Sequence, residues 1–102
     1  MRLLISTCSP EKAEEVLETL VGERLVACGN LLPGVRSLYW WEGEICRDEE
    51  VVMLMETRAD LAARAMARLE EIHPYDVPKI VSIEPDACDD AYAGWIRDVT
   101  VR

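Results

Sequence analysis

The side chains with the widest chemical reach in this chain are one histidine, His73, four cysteines, Cys8, Cys28, Cys46 and Cys88, and a run of acids, Glu42, Glu44, Asp48, Glu49 and Glu50. Thiolate and imidazole suit copper(I) or zinc, and low-coordinate copper needs few such donors. His73 with Cys8 is the candidate metal pair, and Cys46 is the thiol nearest to joining them. The structural alternative is that His73 closes a helix against its last carbonyls while Cys8 packs as a small hydrophobe. Hard cations ask for about six or more oxygens, which the acids could supply in part, but a strand sends neighbours to opposite faces and only alternate members converge. Tyr39, Trp40 and Trp41 could line a ligand pocket with Tyr75, or anchor an interface. For catalysis nothing assembles. There is no G-x-S-x-G elbow, P-loop or glycine-rich dinucleotide turn, and Ser6, Ser9 and Ser37 have no base partner. The chain does not read as an enzyme.

Composition narrows the partners. A net charge of −9, from twenty acids against eleven bases, repels phosphate backbones and anionic membranes, so neither nucleic acid nor membrane is an expected partner. The same acidity keeps an assembly soluble. With 102 residues, 50% of them apolar, the chain reads as a single domain, residues 1–102, holding one modest core. The longest uncharged apolar run, Val51 to Met55, is far short of a membrane span, and Met1-Arg2-Leu3 leads into a strand rather than a signal peptide. A cytoplasmic location with reduced thiols is expected.

The element that must position these groups is a hairpin. Leu31 to Trp41 is rich in apolar, β-branched and aromatic residues, Glu42-Gly43 reverses the chain, and Ile45 to Thr57 returns. Arms of about a dozen residues at about 3.3 Å apiece make a ribbon about 40 Å long, more than a small domain covers. Pro33-Gly34 should bend or bulge the first arm. The other strands, Arg2 to Thr7 and Lys79 to Glu84, have ordinary lengths, so roughly half the hairpin overhangs its sheet. Ser9-Pro10-Glu11 reads as N-cap, first-turn proline and acid of a helix carrying Ala13, Val16, Leu17, Leu20 and Val21 to about Arg24. Thr57 or Asp60 is expected to cap a second helix with Leu61, Ala62, Ala65, Met66, Leu69 and Ile72 on one face. Pro74 stops it, and His73 to Pro78 is an extended loop. Asp89 or Asp90 caps a last helix bearing Tyr92, Trp95, Ile96 and Val99 on one stripe.

That order defines an α+β, ferredoxin-like βαββαβ fold with an added C-terminal helix, strand three lying between strands one and two and strand four beside strand one. Cys8, the Glu42-Gly43 turn and the His73 to Pro78 loop then share one end of the sheet, and Cys28, Thr57 and Cys88 the other. Val51-Val52-Met53-Leu54-Met55 is apolar at odd and even positions alike, so both faces must avoid water while two helices cover one. Another copy of the chain is the simplest cover.

Four stretches resemble signatures of the CutA family of divalent-cation tolerance proteins: Glu23-Arg24-Leu25-Val26-Ala27-Cys28 with Asn30, Pro33-Gly34-Val35-Arg36-Ser37 with Tyr39, Trp41-Glu42-Gly43-Glu44, and His73-Pro74-Tyr75 with Val77-Pro78. The resemblance spans nearly the whole chain. It implies a homotrimer of PII-like architecture whose long hairpins wrap neighbouring subunits, and a role in metal-ion tolerance, copper being the ion most often associated, with no obligatory cofactor. Cys28, Tyr39, Trp41, Glu50 and Tyr75 are then expected at inter-subunit clefts or interfaces, beside His73 and Cys8 as metal candidates. The alternatives are PII-like signalling, with a small ligand or partner protein in those clefts, and a purely structural trimer. The chain departs from the family at Glu56, where members commonly carry lysine before the threonine, at Lys79, where many carry an acid, and at Cys8, one residue beyond the family cysteine's place at Thr7. An RNA-recognition module would need aromatics on its central strands and a basic face. A copper chaperone of this fold would show C-x-x-C after its first strand, which Cys8-Ser9-Pro10-Glu11 does not.

Overall fold

A stretch that is apolar at every position belongs inside a sheet, and residues 51–55 are found there, paired on both sides. The computed structural model describes residues 1–101. Its strands are β1 (Arg2–Cys8), β2 (Cys28–Trp41), β3 (Glu44–Thr57) and β4 (Ile80–Ile83), and its helices α1 (Ala13–Gly22), α2 (Ala62–Ile72) and α3 (Asp90–Val99). The sheet runs β2-β3-β1-β4 with every adjacent pair antiparallel, which is the expected ferredoxin-like order.

Pairing along β3 is unequal on its two edges. β1 accompanies it only from Arg2 opposite Thr57 to Cys8 opposite Val51, whereas β2 follows it out to Trp41 opposite Glu44. The Glu44–Glu50 half therefore leaves the sheet as a two-stranded ribbon, and the molecule measures 44 Å along its longest axis. Pro33-Gly34 makes the expected bulge: the register slips between Leu32 and Val35, and Gly34 takes φ 72°. At the tip Glu42 and Gly43 both have positive φ, 49° and 82°, the combination a tight two-residue reversal needs.

Alternation sorts the side chains of β3 onto two faces. Val51, Met53 and Met55 are buried with Leu4, Leu17, Leu20, Val26, Ala65 and Leu69 in the core under α1 and α2. Val52 and Leu54 point the other way, and the pairing places Leu3, Ile5, Leu32, Val81 and Ile83 on that same second face. Leu32 is 42% exposed and Val81 and Ile83 are each 43% exposed. The third helix touches this side only near the start of β2, where Tyr92 reaches Cys28, and its Ile96 is buried apart from the main core.

Several element ends differ from the sequence expectation. Residues 10–12 form a turn and α1 starts at Ala13, because the Ser9 carbonyl accepts from the N–H groups of both Lys12 and Ala13 at 3.1 Å. Ser9 caps through its backbone. Thr57 does not cap α2; its hydroxyl donates to the Leu25 carbonyl at 2.6 Å and ties the end of β3 to the chain entering β2. Asp60 pairs with Arg58 in a short 3-10 turn, Ala59–Leu61, that precedes α2. β4 is shorter than expected, four residues. Asp89 does cap α3, its Oδ2 accepting from the Tyr92 N–H at 3.1 Å.

Gly29 lies opposite Met55 on the core face, and a Cβ there would stand 2.4 Å from Leu17 Cδ1 and 2.9 Å from Cδ2. Gly29→Ala is expected to force the buried Leu17 side chain out of its present position at a cost of about 1–3 kcal/mol, read as a lower denaturant midpoint. An unchanged midpoint would mean that Leu17 has room to turn aside.

Candidate functional site

β1 runs out at Cys8 where β3 leaves the sheet, so three pieces of chain meet at one step. Pro74 cannot continue α2, and the chain turns back over the end of β1 as His73-Pro74-Tyr75. His73 Nε2 lies 2.8 Å from the Thr7 carbonyl, and Nδ1 accepts the Tyr75 N–H at 3.1 Å. Together these contacts specify the Nε2–H tautomer, donating to Thr7, and leave the imidazole no free lone pair. The Tyr75 ring stands edge-on to the imidazole with centroids 4.7 Å apart. Cys8 is wholly buried. Burial holds its thiol above the ordinary 9.0, and the nearby acids Glu50 and Glu11 push the same way against its bonds with Ser9. The thiolate is the form that binds metal and reacts, so folding keeps Cys8 in its inert state.

Glu50, paired with Val35 at the root of the ribbon, accepts the Tyr75 hydroxyl at 2.7 Å. It is only 6% exposed, yet among the described residues no cation lies within ion-pair distance of it. A carboxylate taken from water with one neutral donor recovers only part of its lost hydration. Burial first, then the bond to Glu50, push the Tyr75 phenol upward.

Farther out, directly opposed residues separate the ribbon's two sides. Arg36, Leu38 and Trp40 share one side with Glu49, Arg47 and Ile45, while Ser37, Tyr39 and Trp41 share the other with Asp48, Cys46 and Glu44. The three aromatics are therefore split, and Tyr75 bonds Glu50 rather than joining them. Tyr39 donates its hydroxyl to Asp48, which pushes the phenol up to about 12. Trp40 is 71% exposed and Leu38 62%. Cys46 stands opposite Tyr39, about 16 Å beyond the Cys8 and Val51 pair at about 3.3 Å per residue. The hairpin's length separates thiols that topology alone had placed at one end. Among the described residues no trio of His, Cys, Asp and Glu side chains is arranged to hold a metal ion.

At the opposite end of the sheet Cys28 faces Glu56 across the ladder. Its Sγ–H donates to Glu56 Oε2 at 3.1 Å and its Sγ lies 3.1 Å from the Tyr92 hydroxyl, which is free to donate to it. Burial raises the Cys28 thiol, Glu56 adds to the rise and the Tyr92 bond opposes it. Tyr92 is itself pushed up, first by its bond to Cys28 and then by burial. Sequence reasoning placed Cys28 at this end with Thr57 and Cys88 and missed both partners, Glu56 and Tyr92. The available signals were the stripe of α3 that carries Tyr92 and the acid at Glu56.

A split βαβ sheet with one apolar face uncovered, and a hairpin that outruns it, defines a PII-like member of the ferredoxin-like class. Residues 2–99 match the family model described as CutA1 divalent ion tolerance protein, and the chain belongs to that family. The divalent-cation tolerance protein CutA of Pyrococcus horikoshii is 43% identical over 102 residues, covering 98% of this chain and 99% of that protein. The crystal structure of CutA1 from the same organism superposes with a TM-score of 0.95 at 41% identity, covering 100% of both chains. The PII-like protein CutA from Nostoc sp. PCC 7120, in apo form, superposes with a TM-score of 0.95 at 36% identity, covering 99% of this chain and 98% of that one.

The raised thiols of Cys8 and Cys28, ordinarily 9.0, and the raised phenol of Tyr75, ordinarily 10.0, set an alkaline limit. The unfolded chain releases these protons first, so their contribution is complete below about pH 9 and is lost as pH rises through the folded values. Denaturant midpoints are expected to decline from about pH 9 upward, with Cys8→Ser flattening the first part of the fall. A flat alkaline profile would contradict the burial of these groups.

Proposed function

We propose that this chain, folded as one domain, acts as a cytoplasmic homotrimeric divalent-cation tolerance protein that binds or responds to metal ions, copper foremost, without catalysing a reaction. The carrying observation is the second face of the sheet. Leu3, Ile5, Leu32, Val52, Leu54, Val81 and Ile83 lie on it, Leu32, Val81 and Ile83 are exposed, and the ribbon beyond exposes Leu38, Trp40 and Ile45 on its opposite side, the one continuous with Val51 and Met53. Leaving such a side chain in water forgoes about 1.5–3 kcal/mol, and a patch of this kind marks an association surface. A ribbon that outreaches its own sheet can lie on a neighbour's, and head-to-tail contacts of that sort close into a ring. Membership of a divalent ion tolerance family supports the metal reading. Among the described residues no helix is long and apolar enough to cross a membrane.

In this reading Cys28, Tyr39, Trp41, Glu50 and Tyr75 lie at or beside inter-subunit clefts. Glu50, buried with no counter-charge among the described residues, favours a cationic group arriving from outside the subunit. His73 and Cys8 would hold copper(I) as a thiolate and a borderline nitrogen donor. Binding there requires the Tyr75 N–H to release Nδ1 and the Cys8 thiol to give up its proton. The second reading, a small ligand in the clefts of a PII-like signalling trimer, draws on the same Glu50 and Tyr75 pair and on the similarity to the PII-like Nostoc protein.

Sedimentation equilibrium at micromolar concentration is expected to give a three-chain species that Trp40→Glu weakens. A stable, folded lone subunit would remove the reading. In a copper(I) titration, stoichiometric binding is expected in the wild type and not in His73→Ala or Cys8→Ser; binding that both changes leave intact would remove those two residues from the site. Nucleotides and small anions that raise the melting temperature would favour the ligand reading instead, since a ligand binding only the native state must stabilise it.

A further inference from the structure

Glu50 stands at the root of the ribbon on the side of Asp48, Cys46 and Glu44, whereas the ribbon's two cations, Arg36 and Arg47, stand on the opposite side with Leu38, Trp40 and Ile45. Alternation thus prevents a ribbon from neutralising its own buried acid. Glu50 Oε2 accepts the Tyr75 hydroxyl, and no donor among the described residues reaches the second oxygen. None of their buried side-chain oxygens lacks a partner, so that second oxygen opens to the surface. The arginines have the converse need. Among the described residues neither Arg36 nor Arg47 has a carboxylate within ion-pair distance. Arg36 does stand opposite Glu49, but Arg47 stands opposite Leu38 and is the less compensated of the two. It also lies farther out, about 10 Å beyond Glu50 at about 3.3 Å per residue, where β1 no longer accompanies β3.

We propose that the carboxylate of Glu50 is completed by the guanidinium of Arg47 from a second copy of this chain, whose ribbon lies across the step. The inference rests on the homotrimeric reading above and names the contact that joins its subunits. One N–H of the guanidinium goes to the open oxygen of Glu50 while the Tyr75 hydroxyl keeps the other. A charge-assisted bond of this kind is about twice as strong as a neutral one, and it supplies the compensation that a phenol alone does not. Arg47 brings an apolar rim with it. Leu38, Trp40 and Ile45 on its side of the ribbon are all exposed in the lone subunit, and so is Val77 in the loop that crosses the step. Closing these around the pair excludes water from it, the condition under which an interfacial charge pair holds subunits together. Because donor and acceptor lie on opposite sides of the ribbon, the contact is head-to-tail, each ribbon serving the next copy until the ring closes.

The test is a double-mutant cycle on the full chain with Arg47→Gln and Glu50→Gln. Arg47 is exposed in the lone subunit, so its replacement leaves the subunit's own fold intact, and glutamine at position 50 still accepts the Tyr75 hydroxyl. Subunit dissociation is read by sedimentation over a dilution series in urea, with circular dichroism reporting that each variant is folded. Each change is expected to raise the dissociation constant about thirtyfold or more. The double variant is expected to do no worse than the weaker of the two, the mark of direct coupling. Arg64→Gln, which removes an exposed charge on α2, controls for net charge and is expected to change nothing. A wild type that stays a single subunit removes the homotrimeric reading and this pair with it. A wild-type trimer that Arg47→Gln leaves equally tight overturns the pair alone and assigns Glu50 to a cation from solution. Effects of the two changes that simply multiply overturn the pair as well.

Discussion

The cross-strand pairing of β3 is the interaction on which the remainder depends. One of its edges is paired along the whole strand by β2, the other only as far as Val51, where β1 ends. From that mismatch come the overhanging ribbon, the step at which Cys8, Glu50, His73 and Tyr75 gather, and an edge of backbone beyond Val51 that no strand among the described residues pairs. The alternation of β3 does the rest. It feeds Val51, Met53 and Met55 to the helices and leaves Val52 and Leu54 on a face that its own subunit does not cover.

A second regularity lies in how the acids are satisfied. Three arginines pair with exposed carboxylates: Arg68 forks onto Glu23 and reaches Glu71, Arg58 takes Asp60, and Arg2 takes Glu84. The acids of the hairpin instead bond neutral donors, Glu50 to Tyr75, Glu56 to Cys28 and Asp48 to Tyr39. Eleven bases cannot neutralise twenty acids, and among the described residues Asp48, Glu50 and Glu56 are three of those without an ion-pair partner. A hydroxyl or thiol shields a carboxylate but leaves its charge uncompensated. These are the places where a cation from a neighbouring copy or from solution gains most.

Much of the fold was legible because its signals are local. Pro33-Gly34 demanded a bulge, Glu42-Gly43 a reversal and Pro74 a helix stop, and each is present because a dihedral constraint acts within a few residues. The errors were local as well. Ser9 and Thr57 were read as side-chain caps, but a hydroxyl has several possible partners: the Ser9 carbonyl does the capping and Thr57 turns to Leu25, far away in sequence. At the site, residue types pointed to His73 and Cys8, yet nothing in their spacing foretold that both ring nitrogens of His73 would be engaged by Thr7 and Tyr75.

The sequence by itself determined the element order, the long hairpin, the doubly apolar central strand and the acidic surface, since periodicity, turn chemistry and charge are properties of neighbouring residues. Tertiary structure alone decided which groups touch. It set Cys46 far from Cys8, gave Glu50 to Tyr75, and brought Tyr92 of the last helix onto Cys28 at the start of β2. Those meetings depend on strand register and helix placement, which are fixed by contacts between residues distant along the chain.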